Sequence, residues 1–158
     1  MRNWNLYICT LFFILFTVYG LFAGPNQITV YIDEESTKIN RLVIPKDVKI
    51  KDIEEVIGKS KVSDKSAALI YSWESNGIQL RYDKNLNKFD QLTIMLKQIK
   101  GKSHNVFPTE IIWNDRKISS DIFICRGAFC KIDSKKRDVY AVFDLDSKEM
   151  LYITIILE

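Results

Sequence analysis

The alternation of apolar and polar residues is clearest between positions 66 and 96, where it predicts three antiparallel strands. Apolar residues fill a run at each end of this region, and positions 78–82 between them alternate strictly between apolar and polar side chains. Such alternation is typical of a strand with one buried and one solvated face. Asn76 and Gly77 precede the middle run and favour a type I′ hairpin turn, because both residue types tolerate a positive φ.

The same pattern predicts further strands on both sides of this region. Their positions are 27–32, 38–44, Thr109–Trp113, 117–119, 122–125, 130–132, 139–145 and 151–157. The polar residues after the first of these strands predict a hairpin tip, and Pro45 ends the second. The runs together predict a mostly antiparallel β-sheet of about 8–9 strands.

One short helix is predicted over Ile50–Ile57. Four apolar residues lie on one face of it at helical spacing, namely Ile50, Ile53, Val56 and Ile57, and Gly58 is placed as an αL terminator. A helix of two turns must pack against the sheet to be stable. No Pro- or Gly-rich linker follows, so we expect a single α+β domain over residues 24–158.

Two parts of the chain resemble each other. Residues 82–96 match residues 143–157 without a gap, and residues 30–39 resemble the shorter stretch 112–118. Strand–turn–strand patterns readily match one another, so chance is the favoured explanation of these matches. The alternative is a degenerate duplication whose second copy is shorter and has no helix.

The first 23 residues predict a signal peptide or an N-terminal membrane anchor. Arg2 is followed by an uncharged run over 6–23 that is rich in Leu, Phe and Ile, as in a secretory signal. Three small residues lie near the expected cleavage point: Gly20, Ala23 and Gly24. About 18 apolar residues also suffice for an uncleaved anchor, so a membrane is expected to contact only residues 4–23. Both alternatives place the domain outside the cytoplasm, as a periplasmic, secreted or membrane-anchored protein.

The charge of the chain argues against nucleic acid as a partner. The 158 residues contain 23 Lys and Arg against 20 Asp and Glu, a net charge of +3. The basic residues are interleaved with acids rather than clustered. The short basic run at 134–137 is interpreted as a solvated turn.

Cys125 and Cys130 are predicted to form a disulfide. They remain as a pair once the N-terminal segment with Cys9 is set aside, and an even number of cysteines in an exported protein favours a disulfide. Opposite positions of a hairpin bring the two Cβ atoms close enough for bonding after a small adjustment. A redox motif would instead require Cys-x-x-Cys at a helix start.

No catalytic, cofactor-binding or metal-binding residue is predicted. His104 is the single histidine and lies in a polar loop, without a nucleophile motif near it and without the ligand set of a zinc site. Asp33, Glu34 and Glu35 are interpreted as a hairpin tip, because no further acids follow at calcium-loop spacing. We therefore expect a protein that is not an enzyme and has no cofactor.

Aromatic residues in the predicted strands supply a candidate binding surface. Trp73, Trp113 and Tyr71 are its members, although most strand aromatics are expected in the core or in cross-strand pairs. Without the order of the strands, the exposed members cannot be selected.

The helix ending at Gly58-Lys59, followed by Tyr71-Ser72-Trp73-Glu74-Ser75-Asn76-Gly77-Ile78, resembles an uncharacterised bacterial domain family over roughly residues 28–119. Ser60 departs from the proline that is common in that family. The helix-to-Gly-Lys element is also similar to repeats of the beta-lactamase inhibitor protein and of small outer-membrane assembly lipoproteins. Both resemblances imply an exported α+β module that binds protein, and neither supplies catalytic residues.

The function expected from the sequence is that of a non-enzymatic protein-binding module of the bacterial cell envelope, with another protein as partner. A secreted or immunity-type inhibitor of another bacterial protein is one alternative, and an enzyme without a recognisable motif is the other. An exposed aromatic patch on a sheet face would favour binding, whereas a pocket with a convergent acid–base pair would favour an enzyme.

Overall fold

A computed structural model describes residues 27–97 and 109–157. These residues form one helix, α1 (Ile50–Ile57), one 3-10 turn (Ser120–Ile122) and strands in two sheets. The strands are β1 (Ile28–Ile32), β2 (Thr37–Ile39), β3 (Leu42–Val43), β4 (Lys61–Asp64), β5 (Ala68–Trp73), β6 (Ile78–Asp83), β7 (Lys88–Met95), β8 (Thr109–Trp113), β9 (Arg116–Lys117), β10 (Phe123–Arg126), β11 (Phe129–Ile132), β12 (Val139–Phe143) and β13 (Met150–Ile156). The predicted α+β class is confirmed. The N-terminal segment 1–23 and His104 lie outside the described residues.

The smaller sheet has five strands in the order β3-β2-β1-β8-β9. Strand β1 pairs antiparallel with β2 but parallel with β8, with Val30 opposite Ile111. Parallel neighbours require a long crossover connection, and here the chain from β2 to β7 supplies it. This parallel pair is the one departure, among the described strands, from the antiparallel arrangement that the sequence predicted.

The larger sheet has eight strands in the order β10-β11-β12-β13-β7-β6-β5-β4, and all its pairs are antiparallel. It consists of two meanders of four consecutive strands each. We call β4–β7 the first half-sheet and β10–β13 the second half-sheet. They meet where β7 pairs with β13, so both edges of the sheet are formed by the first strand of a meander.

The two half-sheets repeat each other in register. Thr93 and Thr154, which correspond in the sequence match, are also opposite each other in the β7–β13 pair. The strand pairs β6–β7 and β12–β13 each contain a bulge at the corresponding position, after Arg81 and after Val142. The structure therefore has a local two-fold arrangement about the Thr93–Thr154 pair.

The turn between the last two strands is also alike in the two half-sheets. The Asp83 carboxylate accepts hydrogen bonds from the backbone N–H groups of the second and third residues after it, and Asp144 does the same. Asn87 and Lys148, which correspond in the match, have φ values of 52° and 58°. Asparagine tolerates this left-handed conformation better than lysine does. The two turns therefore have the same backbone geometry although the residue types differ.

The inner face of the larger sheet packs with the smaller sheet and α1 in one hydrophobic core. Corresponding strands contribute equally to it, because Ile78, Leu80, Leu92 and Ile94 of the first half-sheet match Val139, Ala141, Ile153 and Ile155 of the second. The largest fully buried side chains are Ile32, Ile39, Ile53, Ile78, Leu80, Leu92, Ile94, Ile111, Ile153, Ile155, Val30 and Val139. Since side chains alternate along a strand, the residues between these form an outer face of the larger sheet.

The helix is held to the first half-sheet by polar contacts at its end. Trp73 on β5 donates its Nε1–H to the carbonyl oxygen of Gly58 at 2.6 Å. Glu54 accepts hydrogen bonds from the Ser60 hydroxyl at 2.8 Å and the Ser60 N–H at 3.1 Å. A two-turn helix that buries only Ile53 needs such anchors.

Several local predictions are corrected by the structure. The strand predicted over 38–44 is divided into β2 and β3 by a turn at Asn40, whose φ is 55°. Gly77 has a positive φ but Asn76 does not, so the β5–β6 connection is a four-residue loop rather than a type I′ turn. Gly58 has φ 89° and ψ −179°, which is not an αL conformation. Val56 is exposed rather than part of the buried face of α1.

No helix within residues 27–97 and 109–157 is long and apolar enough to span a membrane.

Candidate functional site

Register places one cross-strand row of side chains along the outer face of the whole larger sheet. From one edge to the other, its members are Lys61, Ser72, Gln79, Thr93, Thr154, Tyr140, Lys131 and Ile124. The row has Thr93 and Thr154 at its centre, so positions at equal distance from the centre correspond. Its first half is polar, whereas its second half contains a tyrosine and ends in an isoleucine.

A second pair of rows shows the same difference. On the first half-sheet the row contains Ser63, Ile70, Arg81 and Gln91. The corresponding row on the second half-sheet contains Arg126, Phe129, Val142 and Tyr152, and continues to Met95 on β7. Two positions with the same place in the repeated fold, Arg81 and Val142, thus differ completely in polarity.

The outer face of the second half-sheet therefore presents an apolar patch. We define it by its six residues, Met95, Ile124, Phe129, Tyr140, Val142 and Tyr152. The side chains of Phe129, Ile124 and Tyr140 are 70%, 65% and 38% exposed, and the other three are partly exposed. Single exposed apolar residues are ordinary, but a contiguous group on one sheet face is the usual mark of an interaction surface.

Two cations accompany the apolar patch, Lys131 between Tyr140 and Ile124 and Arg126 at the edge. Lys131 lies with its Nζ 5.5 Å from the ring centre of Tyr140 and 2.6 Å from a carboxylate oxygen of Asp138. The hydrogen bond to Asp138 raises the pKa of the Lys131 ammonium above its ordinary value. Arg126, at the edge of the patch, makes no side-chain hydrogen bond or ion pair within the part of the chain that the structure describes.

The corresponding outer-face region of the first half-sheet carries ion pairs in place of apolar side chains. Arg81 donates to the Asp90 carboxylate and lies 3.3 Å from a carboxylate oxygen of Asp83. Asp90 occupies the bulge of β7, and the corresponding bulge residue of β13 is Leu151. An ion pair in the first copy is thus replaced by apolar residues in the second.

A disulfide between Cys125 and Cys130 supports one side of the apolar patch, as the sequence predicted. The two residues are opposite each other in the β10–β11 hairpin, whose turn contains Gly127 with φ 66°. Cys130 faces the core and is buried, so Phe129 and Lys131 beside it face outward. The disulfide thereby fixes the hairpin that carries Ile124 and Phe129.

The aromatic residues selected from the sequence as a binding surface are placed elsewhere. Trp73 and Trp113 are only 2% and 9% exposed, because both lie on inner sheet faces. Tyr71 is half-buried and packs edge-on against Phe89, with ring centres 5.7 Å apart. This part of the prediction is corrected: the three side chains contribute to the core and do not form a common surface.

The residues of the apolar patch were not selected from the sequence, although part of the signal was present. Tyr140 and Tyr152 lie in runs that were correctly predicted as strands. The sheet face on which these two tyrosines lie depends on the order of the strands, and the periodicity of the sequence does not give that order. The predicted strand 130–132 begins just after Phe129, because the apolar alternation of β11 is only four residues long.

The smaller sheet carries a polar groove. It has a volume of about 540 Å³ and is lined by Tyr31, Ile32, Asp33, Lys38, Asn40, Arg41, Ile112, Asn114 and Asp115. Burial would raise the pKa of Asp33, but hydrogen bonds from the Glu35 N–H and from Ser36 lower it overall. Asp33 is therefore an ionised turn residue rather than a candidate general acid.

Nothing in the described ranges forms a group of three or more metal-ligand side chains. The acids after β1 instead contact the basic turn after β11. The Ser134 hydroxyl donates to Glu34 at 2.8 Å, Lys136 lies 2.9 Å from the Glu35 carboxylate, and Arg137 donates to the Glu35 carbonyl. The basic turn is thus engaged within the chain, which corrects its interpretation as a merely solvated segment.

Comparison with known proteins gives one match. The model of a family described as a domain of unknown function, DUF7738, matches residues 29–125. This range extends from β1 to β10, so most of the apolar patch lies beyond it. No curated protein and no solved structure matches the chain.

Proposed function

We propose that the chain, which belongs to the DUF7738 family of domains of unknown function, is a protein-binding module that binds its partner through the apolar patch and catalyses no reaction of its own. The observation that carries this proposal is the contrast between the two half-sheets. They share the register, the bulge and the turn of their last two strands, yet only the second exposes a contiguous apolar and aromatic surface.

The internal comparison argues against fold requirements as the reason for Tyr140 and Val142 in the patch. A solvent-facing position in this fold accepts Gln79 or Arg81, because the first half-sheet carries them there. Tyr140 and Val142 stand at the corresponding positions of the second half-sheet, where stability does not demand them. Exposed aromatic and apolar residues without a structural role favour a surface kept for binding.

The shape and chemistry of the patch favour a protein over other ligands. The patch lies on a sheet face rather than in a cleft, whereas small-molecule sites are concave. Tyrosine, phenylalanine, methionine and arginine are enriched at protein interfaces, and all four residue types occur in the patch or at its edge. The net charge of +3 and the pairing of the basic turn with Glu34 and Glu35 give no extended basic face for nucleic acid.

Site-specific cross-linking in the cells that make the protein tests this proposal. A photoreactive benzoylphenylalanine is placed at Phe129 or, as a matched control, at Ile70, which occupies the corresponding outer-face position. We expect a covalent adduct with one protein from position 129 and none from position 70. Adducts of equal yield from both positions, or from neither, would contradict the proposal.

A second experiment tests whether the adduct depends on the apolar patch or only on chance proximity of another protein. The cross-linker is moved to Tyr140 and combined with Phe129→Ser, or with Ile70→Ser as the control. Phe129→Ser should remove the adduct, whereas Ile70→Ser should leave it. Phe129 is 70% exposed, so Phe129→Ser should shift the melting curve by the equivalent of about 0.5 kcal/mol or less. Ile70 is partly buried and Ile70→Ser should cost more, so loss of the adduct in Phe129→Ser alone cannot be due to unfolding.

We further propose that the module works outside the cytoplasm, in the bacterial cell envelope. Arg2 with the apolar run over 6–23 supports export, and a disulfide persists best in an oxidising compartment. A reporter phosphatase fused after Gly24 should be active, and deletion of residues 2–23 should abolish its activity. An inactive fusion of the full segment would contradict export without bearing on the binding surface.

A further inference from the structure

The two edges of the larger sheet occupy corresponding positions but differ in how they are protected. On β4, Lys61 contacts Glu74 and Asp64 contacts Lys84, each at 2.5 Å. Charged side chains on an edge strand hinder pairing with another chain. On β10 the corresponding outer-face residue is Ile124, and no side chain of this strand forms an ion pair within the described residues.

The hydrogen-bonding groups of Cys125 point out of the β10 edge. The Cα atoms of Cys125 and Cys130 are only 4.0 Å apart, the spacing of a non-hydrogen-bonded antiparallel pair. In such a pair both residues direct their N–H and C=O groups away from each other. For Cys130 that direction leads to β12, whereas for Cys125 it leads to the open side of the sheet, where no described strand follows.

The neighbouring residues leave this position accessible. Phe123 shares the orientation of Cys125, but its N–H already donates to the Ser120 carbonyl in the 3-10 turn. Cys125 therefore offers one donor and one acceptor. Ile124 and Arg126 flank them on the outer face, next to Phe129 of the apolar patch.

We propose that β10 binds an extended segment of the partner protein as an additional antiparallel strand. This inference rests on the proposed binding function and names how the partner is held. The segment exchanges two backbone hydrogen bonds with Cys125, places an acidic residue opposite Arg126 and places an apolar residue opposite Ile124. Strand addition of this kind derives affinity from the backbone and specificity from alternate side chains.

Charge complementarity selects a different protein over a second copy of this chain. Antiparallel pairing of two β10 strands about Cys125 would place Ile124 of each copy opposite Arg126 of the other. Both cations would then lack a counter-charge and both isoleucines would face a cation. A segment with the order acid, any residue, apolar residue satisfies both positions, because antiparallel pairing brings its acid to Arg126 first.

Hydrogen exchange with a defined probe tests the inference. The probe is a synthetic peptide, acetylated and amidated, of sequence Thr-Ser-Glu-Thr-Val-Thr-Ser, and its reversed sequence is the control. With the probe near ten times its dissociation constant, exchange of the Cys125 amide should slow about tenfold. Amides of β4 should be unaffected, and the reversed peptide should give no such slowing.

Two substitutions, which exchange the residue types of positions 61 and 124, test whether the effect is specific to the β10 edge. Ile124→Lys copies the charge found at Lys61 and should abolish the slowing at Cys125. Lys61→Ile copies the apolar side chain onto β4 and serves as the matched control that must leave the slowing at Cys125 intact.

Three outcomes would overturn the inference. They are no slowing up to the solubility limit of the probe, equal slowing by the reversed peptide, and slowing that rises with protein concentration in the absence of peptide. The last would assign the edge to a second copy. Adduct formation from position 129 is measured separately, so the binding surface stands even where the edge fails.

Discussion

Thr93 and Thr154 face each other where the two half-sheets meet, and their hydroxyl oxygens are 3.3 Å apart. They are the corresponding residues of the internal match, 61 positions apart in the chain. Further contacts follow the same arrangement, since the Leu96 N–H donates to the Leu151 carbonyl and the Leu157 N–H donates to the Asp90 carbonyl. Two meanders of matching register are therefore joined through their last strands.

The contact between the two threonines predicts coupled but unequal costs, because the Thr93 hydroxyl also accepts a hydrogen bond from Gln91 Nε2 at 3.1 Å. Thr154→Val removes only the hydrogen bond between the threonines and should lower the free energy of unfolding by about 0.5–1 kcal/mol, and Thr93→Val should lower it further because Gln91 also loses its partner. The double variant should cost no more than Thr93→Val alone, because that variant has already lost the hydrogen bond between the threonines. A double-mutant cycle by urea denaturation measures this, and simple additivity would contradict it.

The disulfide predicts a measurable but limited contribution to stability. Replacing Cys125 by Ser, where the side chain is exposed, and Cys130 by Ala, where it is buried, should lower the free energy of unfolding by about 2 kcal/mol, because the closed loop is very short. The domain should still fold, since its core is built from the other strands. Thermal melts with and without reductant measure the effect. Thiol counting on denatured, unreduced wild-type protein should find both cysteines oxidised, and two free thiols would contradict the bond.

Replacing either of two glycines with positive φ by alanine should lower the free energy of unfolding, by different amounts. Gly58 has φ 89° and ψ −179°, a conformation essentially restricted to glycine, whereas Gly127 has φ 66°. A Cβ at either position meets no atom within 4 Å, so the cost is that of the backbone alone. Gly58→Ala should cost about 1–3 kcal/mol and Gly127→Ala about 1–2 kcal/mol. Chemical denaturation of both variants measures the difference, and a smaller cost at Gly58 would contradict it.

Periodicity predicted those elements that bury one side. The bounds of α1, Ile50–Ile57, follow from its apolar spacing and from Gly58, and the three strands from β5 to β7 follow from their alternation. Strand β4 was missed because it is an exposed edge, and Val62 is its single apolar residue. An edge strand buries little and so leaves no alternation to detect.

The binding surface required information that a linear pattern does not contain. Trp73 and Tyr140 both lie in correctly predicted strands, yet one is buried and the other is exposed. Which face a strand buries depends on its neighbours in the sheet, and a shift of one residue exchanges the faces. The gapless match between residues 82–96 and 143–157 was the sequence signal closest to the answer. For the apolar patch it contains one pair that differs in polarity, Gln91 and Tyr152, whereas the pairs Gln79–Tyr140 and Arg81–Val142 lie just before it and follow from the strand register.

The hydrogen bonds of Glu54 at the end of α1 predict that the stability of the fold decreases in acid. Hydrogen bonds from Lys59 and from the backbone and hydroxyl of Ser60 lower the pKa of its carboxyl from 4.5 to about 2. A carboxyl with a lowered pKa in the folded state stabilises the fold above its unfolded pKa. That stabilisation is lost as the pH falls from about 4.5 to about 2, because the Glu54 carboxyl then becomes protonated in the folded state as well.

Glu54→Gln should therefore melt at a lower temperature than the wild type at neutral pH, and the difference should shrink across this window until the two proteins melt together near pH 2. Melting temperatures of both proteins from pH 7 to pH 2 measure this. Glu55→Gln is the matched control, because Glu55 lies on the same helix, is exposed and has only Lys51 at 3.8 Å. Its curve should follow that of the wild type throughout. A Glu54→Gln difference that stays constant down to pH 2 would show that the charge of Glu54 does not anchor the helix.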